Sequence, residues 1–512
     1  MSNRFDFGGV NMRADEESSK ARPASETPFC IAILGDFSGR ASRGIAEAKT
    51  LAERRTYLID RDNIDEVLTK LHVELHLPSG GDSPLVLRFS DLEDFHPDRL
   101  LETEVFRPLK SLRDQLQDPD RFVAVAEEVG LLRPQKATTP PRTRDAERVV
   151  APNPVRLASS ASLLDDMIEE TESRTPTPSR RRDSVHDFAR QLGEKYAVTA
   201  PDARQPEVLA AVDRAVSDAL RAILHHPKFQ ALEAAWLATF SLVRALDTGS
   251  QLKLYLVDIS REELLADLST SADIRQSGMY RLLVEKAIQT PGASPWSLIL
   301  GDYRFGADSH DLDALSKLAK VADAAGAVFV AEAGAELLGC NSLAETPHPR
   351  DWKDISDERF WAKLRSMPEA ASLALALPRF LLRLPYGKKT SPVESIEFEE
   401  FPSDPVHEEY LWGNPAFAIG LLLGQSFSEA SWSMQAGSVV QLNNLPLHVY
   451  GAPGDPESKP CAEVLLTDEA VERILDQGLI PLIAYKGRDS VRVGRFQPIA
   501  DGRRPLAGRW EA

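Results

Sequence analysis

The chain has 512 residues, a hydrophobic share of 43% and a formal net charge of −18 at pH 7. This length allows more than one domain, and the hydrophobic share is sufficient for folded cores. The strong negative charge argues against nucleic acid or an anionic membrane as a partner. The three cysteines are scattered, which indicates neither a disulfide framework nor a metal site and favours a reducing cytosol.

The N-terminal residues 1–28 are polar, and we expect them to be flexible. They contain no apolar core of the kind found in a signal peptide. No apolar run in the sequence reaches the length of a membrane span. The sequence therefore predicts a cytoplasmic protein with no membrane partner.

Residues 29–132 have the pattern of a small α/β domain. A buried strand is predicted from Phe29 to Leu34, and a hairpin from Val73 to Leu77 and from Leu85 to Phe89. Helices are predicted from Pro97 to Leu116, with a break near Pro108, and again from Pro119. The size lies within the usual range for a domain.

Residues 133–182 are interpreted as a linker that contains one short helix. Residues 133–160 are dominated by Pro, Thr, Arg and Ala and have no periodicity. At residues 162–172, Ser162 and Asp165 form a capping-box pattern, which predicts an amphipathic helix. Its apolar face consists of Leu163, Leu164, Met167 and Ile168. A short helix is marginal in water, so it either docks into a groove of another protein or folds back on its own domain.

Residues 183–512 are predicted to form a larger α/β domain with a mainly parallel mixed sheet. Between Pro206 and Ala331, helices at a 3.6-residue spacing alternate with apolar strands, which is typical of parallel sheets. One of these helices is predicted from Ile274 to Ile288. Later strands are predicted at 461–466, 479–485 and 491–496, with a helix from Asp468 to Gln477. The predicted fold class is therefore α/β.

The segment 373–417 combines features that rarely occur together. An apolar strand from Leu373 to Leu377 is followed by two arginines among apolar residues, then by an acidic loop and an apolar helix. Charges beside apolar runs are costly to bury unless they are paired, so we expect the arginines to meet carboxylates in this chain or a neighbour. The alternative is a core strand with ordinary surface arginines. The candidates for ion pairs or assembly contacts are Arg379, Arg383, Glu399, Glu400, Trp412 and Asn414.

No complete catalytic, cofactor or metal motif is present in the sequence. His407-Glu408 begins an HExxH pattern, but Leu411 stands where the second histidine is needed. Asp36 and Asp302 each follow a predicted strand, where α/β enzymes place catalytic carboxylates, although turn geometry explains them equally well. No catalytic, cofactor or metal residue is therefore predicted. An enzyme with a pocket at Asp36 or Asp302 is the least favoured interpretation.

Several segments of the sequence resemble segments of a known family. IAILGDFSGR, ERRTYLIDRDNIDEVLTKL and LRFSDLEDFHPDRL resemble the small sheath subunit of bacterial type VI secretion systems. The segments that resemble the large sheath subunit are SLLDDMIEET, ILHHPKFQALEAAW, LYLVDISREELLADL, WSLILGDYRF, LALPRFLLRLPYG, HEEYLWGNPAFA and PCAEVLLTDEAV. They occur in the family's order and span most of residues 29–500. The chain thus resembles a fusion of the two subunits.

The resemblance implies a mechanical function and no cofactor. Sheath subunits assemble into a helical contractile tube around an inner tube of stacked rings, in the bacterial cytoplasm. The implied partners are copies of the chain or other sheath subunits, the inner-tube ring protein, baseplate components and a hexameric AAA+ ATPase that recycles the sheath. That ATPase grips a helix near the large subunit's N-terminus, the place of SLLDDMIEET. The resemblance therefore assigns ATPase contacts to Leu163, Leu164, Met167 and Ile168.

One departure from the family leaves two functions open. Large subunits continue past the sheet region into segments that interlock with neighbours, whereas this sequence ends at Ala512. The leading hypothesis is a fused sheath subunit, in which the fusion fixes a one-to-one ratio of the two parts. The alternative is a non-polymerising sheath-like adaptor, cap or baseplate-end component.

Overall fold

The computed structural model describes residues 23–78, 84–132, 202–270, 273–289, 294–355, 357–452 and 455–511. The predicted linker and its helix at 162–172 lie outside the described residues. Two compact units are distinguished: residues 1–107 together with 216–512, and residues 108–215.

The strands of the first unit are β1 (Phe29–Gly35), β2 (Tyr57–Ile59), β3 (Val73–Leu77), β4 (Leu85–Phe89), β5 (Leu252–Asp258), β6 (Trp296–Phe305), β7 (Val328–Ala333), β8 (Leu373–Leu377), β9 (Phe380–Leu381), β10 (Trp412–Gly413), β11 (Gln441–Leu442), β12 (Val449–Ala452), β13 (Asp455–Ser458), β14 (Ile480–Ala484) and β15 (Val491–Val493). Nine of them form one sheet, in the order β11-β15-β14-β8-β7-β6-β1-β5-β2. The six strands from β14 to β5 in that order run parallel, and the edge strands are antiparallel. The predicted α/β class with a mainly parallel mixed sheet is confirmed.

Strand β1 lies inside this sheet, between β5 and β6. Phe29 is in register with Leu252 on one side, and Ile31 is in register with Leu298 on the other. All seven residues of β1 are buried, as expected for a parallel strand covered on both faces. The segments that resemble the small and the large subunit therefore share one sheet. The domain boundaries at residues 132 and 183 remain a prediction.

The helices are α1 (Ile64–Leu71), α2 (Pro97–Leu100), α3 (Arg107–Gln117), α4 (Pro119–Glu128), α5 (Gln205–Leu224), α6 (Pro227–Ala245), α7 (Arg261–Thr270), α8 (Gly278–Tyr280), α9 (Lys286–Gln289), α10 (Ser309–Ala325), α11 (Glu358–Arg365), α12 (Pro415–Ala430) and α13 (Asp468–Asp476). Helix α12 is the most apolar of these, and Asn414 caps its N-terminus by accepting a hydrogen bond from the Ala416 N–H at 2.9 Å. Its glycines permit close packing, because a Cβ at Gly420 would lie 2.5 Å from a Leu300 methyl group. The backbone of α12 therefore packs closely against the sheet at Leu300.

Two elements differ from the sequence prediction. No strand forms at residues 461–466, where only Ala462 makes an isolated bridge to Phe380. This segment is held by Glu463, whose N–H donates to the carbonyl of Arg379 at 3.1 Å and whose carboxylate pairs with the same residue. The predicted helix from residue 274 is divided by a π-helical turn at Arg281–Glu285.

The second unit contains α4, most of α3 and the first part of α5. Leu116 and Phe122 are buried in it. The guanidinium of Arg113 donates to the carboxylate of Asp213 at 2.5 Å, and the side-chain amide of Gln205 donates to the Leu116 carbonyl at 2.8 Å. These contacts join α3 to α5 within the unit.

Candidate functional site

Arg383 is the centre of a buried charge cluster. Its Nε donates to Glu233 Oε1 at 2.7 Å, and its Nη1 donates to Glu400 Oε2 at 2.8 Å. The guanidinium carbon lies 4.2 Å from the centre of the Tyr386 ring. The carboxylate groups of Glu233 and Glu400 are 0% and 1% exposed. A single arginine therefore ties helix α6 to the acidic loop before β10.

The electrostatics of this cluster depend on the arginine. Burial raises the pKa of Glu400, but Arg383, His225 and the Tyr386 N–H outweigh burial and lower that pKa to about 2. Burial also raises the pKa of Glu233, and Arg383 only partly offsets it. Burial lowers the pKa of Arg383, while the two carboxylates hold it well above its ordinary value. The cation is thus permanently charged and compensates two buried acids.

Arg379 makes a second, more exposed pair. Its Nε donates to Glu463 Oε1 at 2.9 Å, and its backbone N–H donates to Glu463 Oε2 at 2.9 Å. Burial raises the pKa of Glu463, but His407 and Arg379 outweigh burial and lower it to about 2. The Arg379 side chain is 38% exposed. This pair fastens the 461–464 segment beside β9.

The other candidates from the sequence have different positions. Glu399 does not reach Arg383, and its carboxylate accepts a hydrogen bond from the Lys388 N–H at 3.1 Å. Trp412 lies in β10 and donates from Nε1 to the His407 carbonyl at 2.9 Å. Trp412 and Asn414 are both buried within this chain. Glu400 therefore joins the cluster, whereas Trp412 and Asn414 position β10 and α12.

Sequence reasoning did not identify two of the partner acids, Glu233 and Glu463. Glu233 lies four residues after Phe229 and three before Trp236, on the apolar face of α6. An acid on an apolar helix face is the signal of a buried charge that needs a cation. Glu463 had no comparable signal, because it stands in a segment that was predicted as a strand.

A second set of ion pairs joins the residues after β1 to helix α7. Glu263 is fully buried and accepts hydrogen bonds from Arg40 Nη2 at 2.7 Å and from Arg54 Nη2 at 2.6 Å. The Glu47 N–H also donates to Glu263, at 2.9 Å. Burial raises the pKa of Glu263, but these donors outweigh burial, so its pKa is lowered overall. Glu263 therefore anchors the turns that follow β1.

A cavity of about 190 Å³ lies at the carboxyl ends of β1 and β6, and it is lined by Asp36 and Asp302 among others. These strands flank the topological switch point of the sheet, where α/β proteins often bind ligands. Burial raises the pKa of Asp36 to about 6 and that of Asp302 to about 7.

Both carboxyl groups have partners in this chain. Asp36 accepts hydrogen bonds from the backbone N–H groups of Arg40 and Ala41 at 2.6 and 2.9 Å, and Asn414 hydrogen-bonds Asp302. For Asp36 this is the turn-stabilising role that the sequence left open. Asp302 does not follow its strand as predicted, because β6 extends to Phe305 and Asp302 lies within it. Within the described ranges, no three His, Cys, Asp or Glu side chains are grouped to hold a metal ion. Nor does any helix in those ranges have the length and apolar character needed to cross a membrane.

Comparisons with known proteins identify the family on both sides of the linker. Residues 206–495 match the family model described as "EvpB/VC_A0108, tail sheath N-terminal domain". Residues 8–127 match the model described as "Type VI secretion system, VipA, VC_A0107 or Hcp2". The resemblance to fused small and large sheath subunits is confirmed.

One curated relative is the type VI secretion system sheath protein TssC1 of Pseudomonas aeruginosa, which is 31% identical over 333 residues. The matched region covers 61% of this chain and 66% of the relative, so the chain spans just under two thirds of that protein. The relative and the longer family match are both sheath proteins. The chain belongs to the family of type VI secretion tail sheath proteins.

Proposed function

We propose that this chain is a structural subunit of a type VI secretion contractile sheath, with the small- and large-subunit portions in one polypeptide. The observation that supports it is the position of β1. This strand belongs to the VipA match at residues 8–127, and it pairs with β5 and β6 of the VipB match at residues 206–495. The two portions therefore contribute strands to one sheet, which supports a single protomer.

The buried ion pairs of Arg383 and Glu263 are consistent with a subunit that transmits force. A contractile protomer has to move as a rigid body, so its loops must be fixed to its core. Arg383 fixes the acidic loop to α6, and Glu263 fixes the turns after β1 to α7. Breaking such buried pairs is costly, which keeps the body rigid under load.

The proposed partners are copies of the chain, other sheath subunits, the inner-tube ring protein, baseplate components and an AAA+ recycling ATPase, all in the bacterial cytoplasm. The ATPase contact is assigned to Leu163, Leu164, Met167 and Ile168. Changing Leu164 and Met167 together to Asp should abolish binding to the ATPase's N-terminal domain, with a loss of about 2 kcal/mol or more. Unchanged binding in a folded variant would refute this assignment.

Negative-stain electron microscopy of the purified chain, alone and with the inner-tube protein, tests the proposed function. The expected result is tubes or rings with a regular repeat. A strictly monomeric protein at high concentration, both alone and with the inner-tube protein, would contradict it.

A further inference from the structure

A cavity at the amino ends of β5 and β6 has no assigned role. Its volume is about 510 Å³, which is within the range of sites for small molecules. Its walls include Leu282 and the rings of Tyr255 and Trp296, which meet edge to face with their centres 5.2 Å apart. Residues 53–57, which lead into β2, line it as well. We name this feature the amino-end cavity.

The amino-end cavity is basic, although the chain has a net charge of −18. Arg55, Lys253 and Lys286 line it, and among the described residues none of these three is paired with a carboxylate. Glu53 is the acid in that lining. Arg55 and Lys286 are exposed and Lys253 is half-buried, so a ligand can reach the three cations. Unpaired cations gathered around a concave surface attract anions.

Two residues of the cavity wall carry buried N–H groups without an acceptor. Trp296 is 6% exposed, and its Nε1–H has no hydrogen-bond partner among the described residues. The same is true of Arg54 Nε, although Nη2 of that side chain donates to Glu263 at 2.6 Å. Buried donors are nearly always paired in folded proteins. Two unpaired donors on the wall of one basic cavity therefore indicate that it accommodates a ligand with acceptor oxygens.

The backbone of the cavity wall is also irregular. Leu282 belongs to the π-helical turn at Arg281–Glu285, and Lys286 follows directly on that turn. Such turns are frequent at functional sites when they interrupt a helix. The irregular wall is therefore consistent with a binding site.

We propose that the amino-end cavity binds a small polyanion whose anionic oxygens belong to phosphate or carboxylate groups. These oxygens pair with Lys253 and Lys286, and one of them accepts a hydrogen bond from the Trp296 indole N–H. Hydrogen bonds to charged oxygens are among the strongest in proteins. The apolar parts of the wall, Tyr255 and Leu282, exclude water and so reduce the screening of these pairs.

A ligand in the amino-end cavity contacts both family portions of the chain. Residues 53–57 lie in the VipA match at residues 8–127, and the other lining residues lie in the VipB match at residues 206–495. Only the folded chain holds these residues together, so a bound anion should stabilise it by mass action. Saturating anion should therefore raise the urea concentration at the midpoint of unfolding.

The experiment measures binding of pyrophosphate and of citrate to the full-length chain by isothermal titration calorimetry. A preference between the two anions identifies phosphate or carboxylate as the recognised group, and binding of either one supports the proposal. Replacing Lys253 and Lys286 together with Gln should raise Kd about ten-fold or more. The matched control replaces Lys320 and Lys363, two exposed lysines outside the cavity, with Gln and should leave Kd unchanged. Equal urea midpoints of both double variants without anion verify that the fold is intact.

The indole N–H resonance of Trp296 reports on the site itself. In a chain with 15N-labelled tryptophan, this resonance is identified by its loss in Trp296→Phe, and it should shift when the anion binds. The indole N–H groups of Trp236 and Trp361 already donate to Phe37 and Gln477, so their resonances should stay in place.

Three results would overturn the proposal. The first is that neither anion binds at millimolar concentration. The second is an equal Kd for the two double variants, which would indicate a general charge effect. The third is binding that leaves the Trp296 resonance unshifted, because the anion would then lie elsewhere. Binding that depends on Lys253 and Lys286 and shifts the Trp296 resonance supports the site.

Discussion

Replacing Arg383 with Ala should destabilise the chain more than replacing any exposed arginine. The change removes one cation and leaves the carboxylates of Glu233 and Glu400 buried, at 0% and 1% exposure. Both lose charge-assisted hydrogen bonds of 2.7 and 2.8 Å. An uncompensated buried charge is among the few causes of a large single-site effect.

The expected loss in the free energy of unfolding is about 3–5 kcal/mol, the range for breaking a buried ion pair from one side. Proton uptake limits the cost, because burial already raises the pKa of Glu233 and this acid would protonate first. The loss should therefore be larger at pH 8 than at pH 5. Restoring neutrality with Glu233→Gln and Glu400→Gln in the Arg383→Ala background should recover part of it.

Urea unfolding followed by tryptophan fluorescence measures these differences, with two arginines as graded controls. Arg379→Ala breaks the ion pair with Glu463. Because the Arg379 side chain is 38% exposed, a loss of about 1–2 kcal/mol in the free energy of unfolding is expected. Arg88→Ala breaks the ion pair with Glu74. Because the Arg88 side chain is 75% exposed, the expected loss is less than about 0.5 kcal/mol. Equal losses for Arg383→Ala and Arg88→Ala would refute the reasoning.

Three further predictions concern pH and the contacts around β1. Burial holds the pKa of Asp302 at about 7, above the unfolded value near 3.9, so its contribution to stability is present below about pH 4 and lost as the pH rises through 7. Asp302→Asn should therefore stabilise the chain by about 1–3 kcal/mol more at pH 8 than at pH 5 in urea unfolding, and a pH-independent effect would contradict this. Glu263→Gln should cost about 2–4 kcal/mol in the same assay, because Arg40 and Arg54 lose a buried partner. The control is Glu47→Gln, which changes an Arg40 partner that is 62% exposed and should cost less than about 0.5 kcal/mol. Equal costs for Glu263→Gln and Glu47→Gln would count against the anchoring role of Glu263. Cleavage at a protease site inserted within residues 133–201 should leave the two fragments co-eluting in gel filtration until denaturant is added, whereas separate elution in buffer would exclude a shared sheet.

Much of the fold was predictable because apolar runs and helical periodicity are local signals. The runs at β1, β7 and β8 are continuous and fully buried, as expected for parallel strands with both faces covered. Their partners were not predictable, because pairing depends on contacts distant in sequence. Thus β1 was assigned to a small domain of its own, yet its neighbours are β5 and β6, more than 200 residues away.

The sequence predicted the arginine of the charge cluster but only one of its two acids. An arginine among apolar residues indicates that a buried acid is needed, which applies to Arg383. The identity of that acid depends on tertiary placement, so Glu400 was a candidate from its sequence proximity while Glu233, 150 residues away, was not. Glu399 shows the limit of such reasoning, because its carboxylate faces the Lys388 N–H.

We propose that one chain supplies both the small- and the large-subunit portion of a sheath protomer, with β1 inserted between its own β5 and β6. Electron cryomicroscopy of tubes assembled from the purified chain with the inner-tube protein tests it most directly. We expect one copy of the chain in each repeating unit of the helical map, with density for β1 continuous with β5 and β6 of the same copy. Tubes in which β1 enters the sheet of a neighbouring copy, or a failure to form tubes at any concentration, would contradict the claim.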